Sequence, residues 1–391
     1  MIHRRFFTSL LALTFVWLPS AFPEKANAAN LPSATQKALA DLKLDSSVLT
    51  GLDDELSVPG KWLDEAANEK EVVILGTWEN TEFSRMTAAF KERYPSINLK
   101  YGRGGTNQRT MQVLVALGSG RVTADVMTGI ADATFQFKEM KALADLRELP
   151  GFKNQLPDYV AADGTWLAHK LSFRCMAYNT SKVKKDELPQ TWDDLLTIPA
   201  WRNGALGLSN HAEAWLLVLW DRNGDSWGES FVRRLFDDVK PQRRSEGMTA
   251  TVSLTAGGEL HGNLPAPEWT AQKLYIKGAP VDYHCPAPIP ITVSQIVMLD
   301  KAPHKNAARI FINWLISREG QIVQYASTFA VPVHKDLQNP NFLPFASTIV
   351  GKAHLVRDDM MLGSDKNKRM ADIWSRYWSA QKAVGNAGRA D

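Results

Sequence analysis

Little in this chain of 391 residues announces a reaction. It holds two cysteines, Cys175 and Cys285, too few for a disulfide-built scaffold. There is no Gly-x-Ser-x-Gly elbow and no Cys-x-x-Cys, and the eight histidines show none of the spacings of a metal site, His-Glu-x-x-His included. Ser181-Lys-Val-Lys184 fits a Ser-x-x-Lys string, but no Lys-Thr-Gly follows it, so it reads as polar surface. An excess of one charge is missing as well. The formal net charge is +3, and residues 1–28 carry +2 of it through Arg4, Arg5, Lys25 and Glu24. A near-neutral remainder gives no electrostatic case for nucleic acid or a lipid surface. Long apolar runs are also scarce. The one at the start, Phe6 to Leu18, is thirteen residues, short of the roughly 20 that cross a bilayer.

That run has the layout of an export address. His3-Arg4-Arg5 precedes it, and Ala26-Asn27-Ala28 follows as a small-x-small cleavage pattern. Arg4-Arg5-x-Phe7 also fits part of a twin-arginine signal. We expect residues 1–28 to be a cleaved signal peptide delivering the protein to the periplasm. No cysteine near the cleavage point offers a lipid attachment. The remaining roughly 360 residues exceed what one hydrophobic core holds, which favours two lobes.

Residues 29–58 read as a polar extension, loosely packed, with a helix around Ser33 to Leu44. Regular patterning follows. Glu71 to Gly76 is a buried-type strand; Phe83, Met86, Phe90 and Tyr94 lie on one helix face, capped by Asn80 or Thr81 and stopped by Pro95. Ile97 to Tyr101 and Ala124 to Met127 are further strands, each followed by a helical pattern, the last around Asp132 to Lys141. Strand-helix alternation argues for an α/β fold with an open sheet flanked by helices. Ligands bind such sheets beyond the carboxyl ends of the strands. Three loops meet there: Thr77-Trp78-Glu79, Gly104-Gly105-Thr106-Asn107, and Thr128-Gly129-Ile130.

From Trp166 the pattern changes. Leu171 to Tyr178 is a strand with no helix directly after it, and a second α/β unit runs to about Asp282. Val281 to Cys285 and Ile289 to Leu299 are strands returning to the first unit, and Asn306 to Tyr325 is one long helix. One lobe interrupted by another, joined by two crossover strands, makes a hinged cleft.

Several stretches resemble bacterial extracellular solute-binding proteins, in the branch with ferric-iron, thiamine and phosphonate binders. They are Trp62 to Leu75, Gly118 to Val126, Tyr178-Asn-Thr180, Leu188 to Leu195, Gly278-Ala-Pro-Val281 and, most specifically, Ala302 to Gln321. The resemblance spans about residues 60 to 335. It implies a two-lobed periplasmic binding protein of type II, each lobe an open sheet flanked by helices. It also implies a small-molecule ligand, an ABC transporter permease as partner, and no catalysis. We expect a monomer without a cofactor and without nucleic acid. The expected boundaries are 59–171 with 287–335 for the first lobe and 172–286 for the second. Residues 336–391 form a C-terminal helical segment that the sequence does not assign to a lobe.

The resemblance leaves the ligand open. Ferric members coordinate iron through two adjacent tyrosines in the second lobe, yet the corresponding Arg243 to Thr255 has none, and Glu79 stands where a histidine is common. Iron or another metal is therefore the alternative, and a sensor module or a periplasmic enzyme would be a different class.

An anion is the first expectation, an organophosphate, a phosphonate or a carboxylate. Gly104 and Gly105 let the backbone approach it at a helix start, although a plain turn with Asn107 as cap is the alternative. Arg103, Arg109, Arg174, Arg243 and Arg244 fall near the cleft; Arg174 stands out because a charge on a crossover strand is costly unless it has a partner. Trp78 is placed either to stack on a ligand or in the core. Ser209 and Asn210 precede a helix at Ala212, and Thr249 lies in the second-lobe segment with Arg243. Tyr283 and His284 sit on the second crossover strand, either at the ligand or in structural roles. Cys175 and Cys285 are a disulfide across the hinge or two buried thiols.

Overall fold

A computed structural model describes residues 31–130, 133–349, 351–356 and 365–380. The expected signal peptide, and Asp132 at the start of one expected helix, lie outside them. Among the described residues there are ten strands: β1 (Glu71–Gly76), β2 (Asn98–Arg103), β3 (Val126–Thr128), β4 (Leu167–Asn179), β5 (Leu206–Ser209), β6 (Gln242–Arg244), β7 (Gly262–Pro267), β8 (Val281–His284), β9 (Ile289–Met298) and β10 (Ala353–Leu355). They hydrogen-bond in the order β2-β1-β3-β9-β4-β7-β5-β6, with β8 on β4 and β10 on β9.

The two ends of this sheet belong to different cores. Val72 and Ile74 on β1, Phe83, Phe90, Phe311 and Trp314 pack together in one. Trp192, Trp201, Trp215, Trp220 and Phe231 fill the other. Each end is parallel where strand-helix units wind it: β1 with β2 and β3, then β5 with β6 and β7. β4 is the long member that joins them. From Leu167 to Phe173 it runs antiparallel to β9, and from Arg174 onward it pairs with β7 and β8. The result is the expected two-lobed α/β architecture, with β4 and β9 as the crossover strands.

Side-chain alternation gives the β4–β9 ribbon two unlike faces. Leu171, Phe173 and Ile291 are buried on one, in a third apolar cluster with Val331 and Val333. The other carries Lys170, Ser172 and Arg174 on β4, with Ser294 opposite Lys170 and Thr292 opposite Ser172. A register shift between Ala168 and Lys170 sets this phase. A polar face on strands buried at the junction of two lobes is the feature that places the site.

Three expectations need correction. Residues 31–58 are not loosely packed. Leu49 and Leu52 are buried, Thr35 donates to buried Glu319 at 2.7 Å, and buried Glu55 pairs with Arg318. The polar composition concealed this because the polar groups are the fastening. The expected single helix from Asn306 to Tyr325 is two, Lys305–Ile316 and Arg318–Thr328. Ser317 divides them, accepting from the Gly320 N–H as the cap of the second, and a Cβ at Gly320 would lie 2.1 Å from the Trp314 carbonyl. The helix after β1 is capped by Glu79, neither Asn80 nor Thr81, and the Glu79 N–H donates to the Glu82 carboxylate. Beyond the ribbon, the helix Asp365–Ala380 buries Met370, Ile373 and Trp374 in the tryptophan-rich core.

Candidate functional site

The three first-lobe loops are tied by a buried arginine. The Arg109 guanidinium donates to the carbonyls of Gly104 (2.9 Å), Gly129 (3.2 Å) and Leu75 (3.4 Å), one from each strand end. Thr106 Oγ1 donates to the same Gly129 carbonyl at 3.2 Å. Gly129 adopts φ +60°, and a Cβ there would meet Thr77 Cγ2 at 3.3 Å and Ser294 Oγ at 3.4 Å. The loop after β1, the loop after β3 and the ribbon thus close on one point. The helix Thr106–Gly118 starts beside it after Gly105, with no side chain capping it. Its first N–H groups suit an anion.

The ribbon's polar face forms the floor. Arg174 Nε donates to Thr292 Oγ1 at 3.1 Å, and its Nη1 lies 3.9 Å from Met248 Sδ at the start of the helix Met248–Ala256. Lys170 Nζ sits 5.5 Å from the Trp269 ring centroid. Among the described residues neither cation forms an ion pair. Burial lowers both, and Arg174 beside it helps bring Lys170 down to about 8. Glu268, the first residue of the helix Glu268–Tyr275, is fully buried. It accepts from Ser172 Oγ (3.0 Å) and the Phe173 N–H (2.8 Å). Burial pushes its carboxyl up to about 7 against the pull of Arg174. His169, next to Lys170, bonds Gln324 Oε1 and Ser294 Oγ, and burial brings it down to about 3, so it stays neutral.

The lobes also meet at the mouth. Lys273 on the second-lobe helix pairs with Glu82 on the helix Asn80–Met86, and its Nζ is 4.4 Å from the Trp269 centroid. The candidate site is therefore the polar face of the ribbon where the two lobes meet, with the Lys273–Glu82 pair joining them beside it. Residues 85–346 match the family of bacterial extracellular solute-binding proteins, two thirds of the chain. The chain belongs to that family.

Solved structures of similar fold bear this out at the level of architecture. Iron-bound HitA from Pseudomonas aeruginosa is 19% identical with a TM-score of 0.65, covering 78% of this chain and 99% of its own. AfuA from Actinobacillus pleuropneumoniae, with exogenous fructose-6-phosphate bound, is 18% identical with a TM-score of 0.58, covering 80% and 98%. An ABC-transporter substrate-binding protein from Agrobacterium tumefaciens is 13% identical with a TM-score of 0.65, covering 80% and 96%. No curated protein matches this chain in sequence.

Within this solute-binding protein, some expected site residues face elsewhere. Trp78 is 2% exposed and packs on Phe83, Tyr101 and His169, inside the core rather than at a ligand. Glu79 is exposed and pairs with Arg103 at 2.6 Å. Tyr283 is buried, its hydroxyl donating to the Ala266 carbonyl and accepting from the Cys175 N–H. The His284 ring bonds the Pro189 carbonyl at 2.6 Å. Arg243 stacks over Phe236 and Trp378 and donates to the Trp378 carbonyl, bound to the C-terminal helix. Asn210 accepts from Trp374 Nε1 of that same helix. Ser209 is buried against Thr251 at 3.2 Å. Arg244 is held by Glu246 and Glu259.

The remaining expected residues lie where the loops converge or at the opposing helix start. Thr77, Gly104, Gly105, Thr106, Thr128 and Gly129 line the first-lobe side, Asn107 is exposed in the first turn of its helix, and Thr249 is exposed at the start of the second-lobe helix. Thr128 Oγ1 is buried and, among the described residues, has no hydrogen-bond partner. Lys170, Ser172, Glu268, Trp269, Lys273, Thr292 and Ser294 escaped the sequence reading. The signal for four of them was present, since polar residues at every second position of two apolar strands mark one face. Cys175 and Cys285 form a disulfide between β4 and the residue that follows β8, with Cα atoms 4.9 Å apart.

Proposed function

We propose that this solute-binding protein captures a small anion, an organophosphate, a phosphonate or a carboxylate, and delivers it to an ABC importer from the periplasm without transforming it. The observation that carries the reading is the pair of half-buried cations, Lys170 and Arg174, on one face of β4 with no ion-pair partner among the described residues. The two cations share one nearby carboxylate, Glu268, so the face keeps an excess of positive charge at a buried place, and an arriving anion offsets its cost. The uncapped start of the helix Thr106–Gly118 adds donors from the other lobe. Closure then selects the ligand that binds the closed form better than the open one.

HitA, of similar fold, holds iron. A ferric ion needs anionic oxygen donors, and a floor presenting two cations disfavours it. Native mass spectrometry of protein purified from periplasm weighs the ligand directly. A phosphate- or carboxylate-bearing adduct that disappears on denaturation supports the anion reading. A metal-sized increment would overturn it in favour of iron or another metal. An Arg174→Ala variant is expected to lose anion binding by about tenfold or more, measured by titration calorimetry.

A further inference from the structure

Phe173 is where β4 leaves β9, and Arg174 is where it takes up β7. The Glu268 carboxylate takes the Phe173 N–H at this switch and the Ser172 hydroxyl beside it, both through Oε2. A structural cap needs that one oxygen. The other, Oε1, is buried and has no hydrogen-bond partner among the described residues. Ser172 stands between Lys170 and Arg174 on the floor, so the carboxylate bonded to it is held among the two cations, and both feel its charge. The other titratable groups around it are Tyr283 from β8 and Tyr325 from the helix Arg318–Thr328, each of which it also influences. A buried acceptor left unpaired is costly, and a ligand group that donates to it removes the cost.

We propose that Glu268 is the specificity-determining residue of the site, selecting anions that carry a hydroxyl or protonated amine next to their charged group. The inference rests on the anion reading above. Lys170 and Arg174 receive the negative group, and Glu268 Oε1 accepts from the donor. An anion without a donor brings its charge up to an unpaired carboxylate oxygen and is disfavoured by both desolvation and repulsion.

Two pairs of probes that differ in hydroxyl content test it by titration calorimetry at about pH 8, where the Glu268 carboxyl, raised to about 7, is ionised: malate against succinate, and glycerol 3-phosphate against propyl phosphate. The wild-type protein is expected to bind the hydroxylated member about tenfold or more tightly. Glu268→Gln is the informative variant. Ser172 and Phe173 both donate, so they hold the amide oxygen at the Oε2 position and turn the amide NH2 to where Oε1 was. An acceptor becomes a donor at one place, and the preference is expected to vanish or reverse while circular dichroism stays unchanged. Arg174→Ala is expected to weaken both members of each pair alike. Equal binding within both pairs by wild type, or an undiminished preference in Glu268→Gln, overturns the role of Glu268 and leaves the anion reading standing. Failure of all four probes to bind wild type, with no effect of Arg174→Ala on the native ligand, overturns both.

Discussion

Arg109 and Arg174 are both arginines near a cleft, yet one is committed and the other is not. Arg109 spends its guanidinium on three main-chain carbonyls, so its work is to hold loops. Arg109→Ala leaves buried carbonyls unpaired and is expected to lower the unfolding free energy by about 2–4 kcal/mol in urea titrations. Glu268 makes a different prediction. Its carboxyl is raised to about 7 from an ordinary 4.5, so between these values the folded chain keeps a proton that the unfolded chain releases. Stability attributable to it falls as pH rises from about 4.5 to 7 and then levels off. The melting temperature of Glu268→Gln, compared with wild type, is expected to gain steadily across that window and to hold its advantage above it. At this scale the sequence was partly legible. Arg174 was readable because a charge on a strand buried on both sides needs a reason. Trp78 misled because a loop position says nothing about which way an indole turns, and here it turns inward onto Tyr101. Glu268 was hidden in Pro265-Ala-Pro-Glu-Trp269, where strand end and helix start merge without a gap.

Among elements, β4 carries most of the argument. It is the partner of β9 at one end and of β7 and β8 at the other, so a single strand bears the polar face, the crossover between lobes and one half of the disulfide. Its alternation, which puts Lys170 and Arg174 on one face, was visible in the sequence, but the register shift after Ala168 was not, and that shift decides that Ser294 and Thr292 stand opposite Lys170 and Ser172. The strand-helix units of the first lobe were legible because their apolar periods are long and Pro95 punctuates them. The break at Ser317 was not, since the apolar stripe continues across it while only the backbone turns. Removing the disulfide with Cys175→Ser and Cys285→Ser is expected to cost about 3–5 kcal/mol of unfolding free energy, from loop-closure entropy over a separation of 110 residues. Denaturant titration of the double variant beside the oxidised parent checks it.

For the whole molecule, the contact between Glu82 and Lys273 ties the helix after β1 in one lobe to the helix Glu268–Tyr275 in the other. The pair is half-buried, so its contribution is modest, roughly 1 kcal/mol. Lys273→Ala is accordingly expected to enlarge the ligand-free radius of gyration in small-angle scattering and to weaken anion binding by about fivefold. High salt is expected to move wild type in the same direction. No residue pattern foretold this contact, because its members are 191 positions apart and meet through the fold alone.

The bond between Cys175 and Cys285 has one more outcome, for how the protein meets a protease. Everything from residue 176 to residue 284, most of the tryptophan-rich core included, is a loop whose two ends are covalently fastened to each other. A protease that nicks this stretch once releases nothing: the cut molecule keeps its full mass on a non-reducing gel and falls into two pieces only when a reductant is added. A single cut elsewhere in the chain leaves two pieces that no covalent bond joins, and they separate on the same gel without a reductant. The lobe that carries Glu268 is thereby the part of this receptor that can be wounded without being lost.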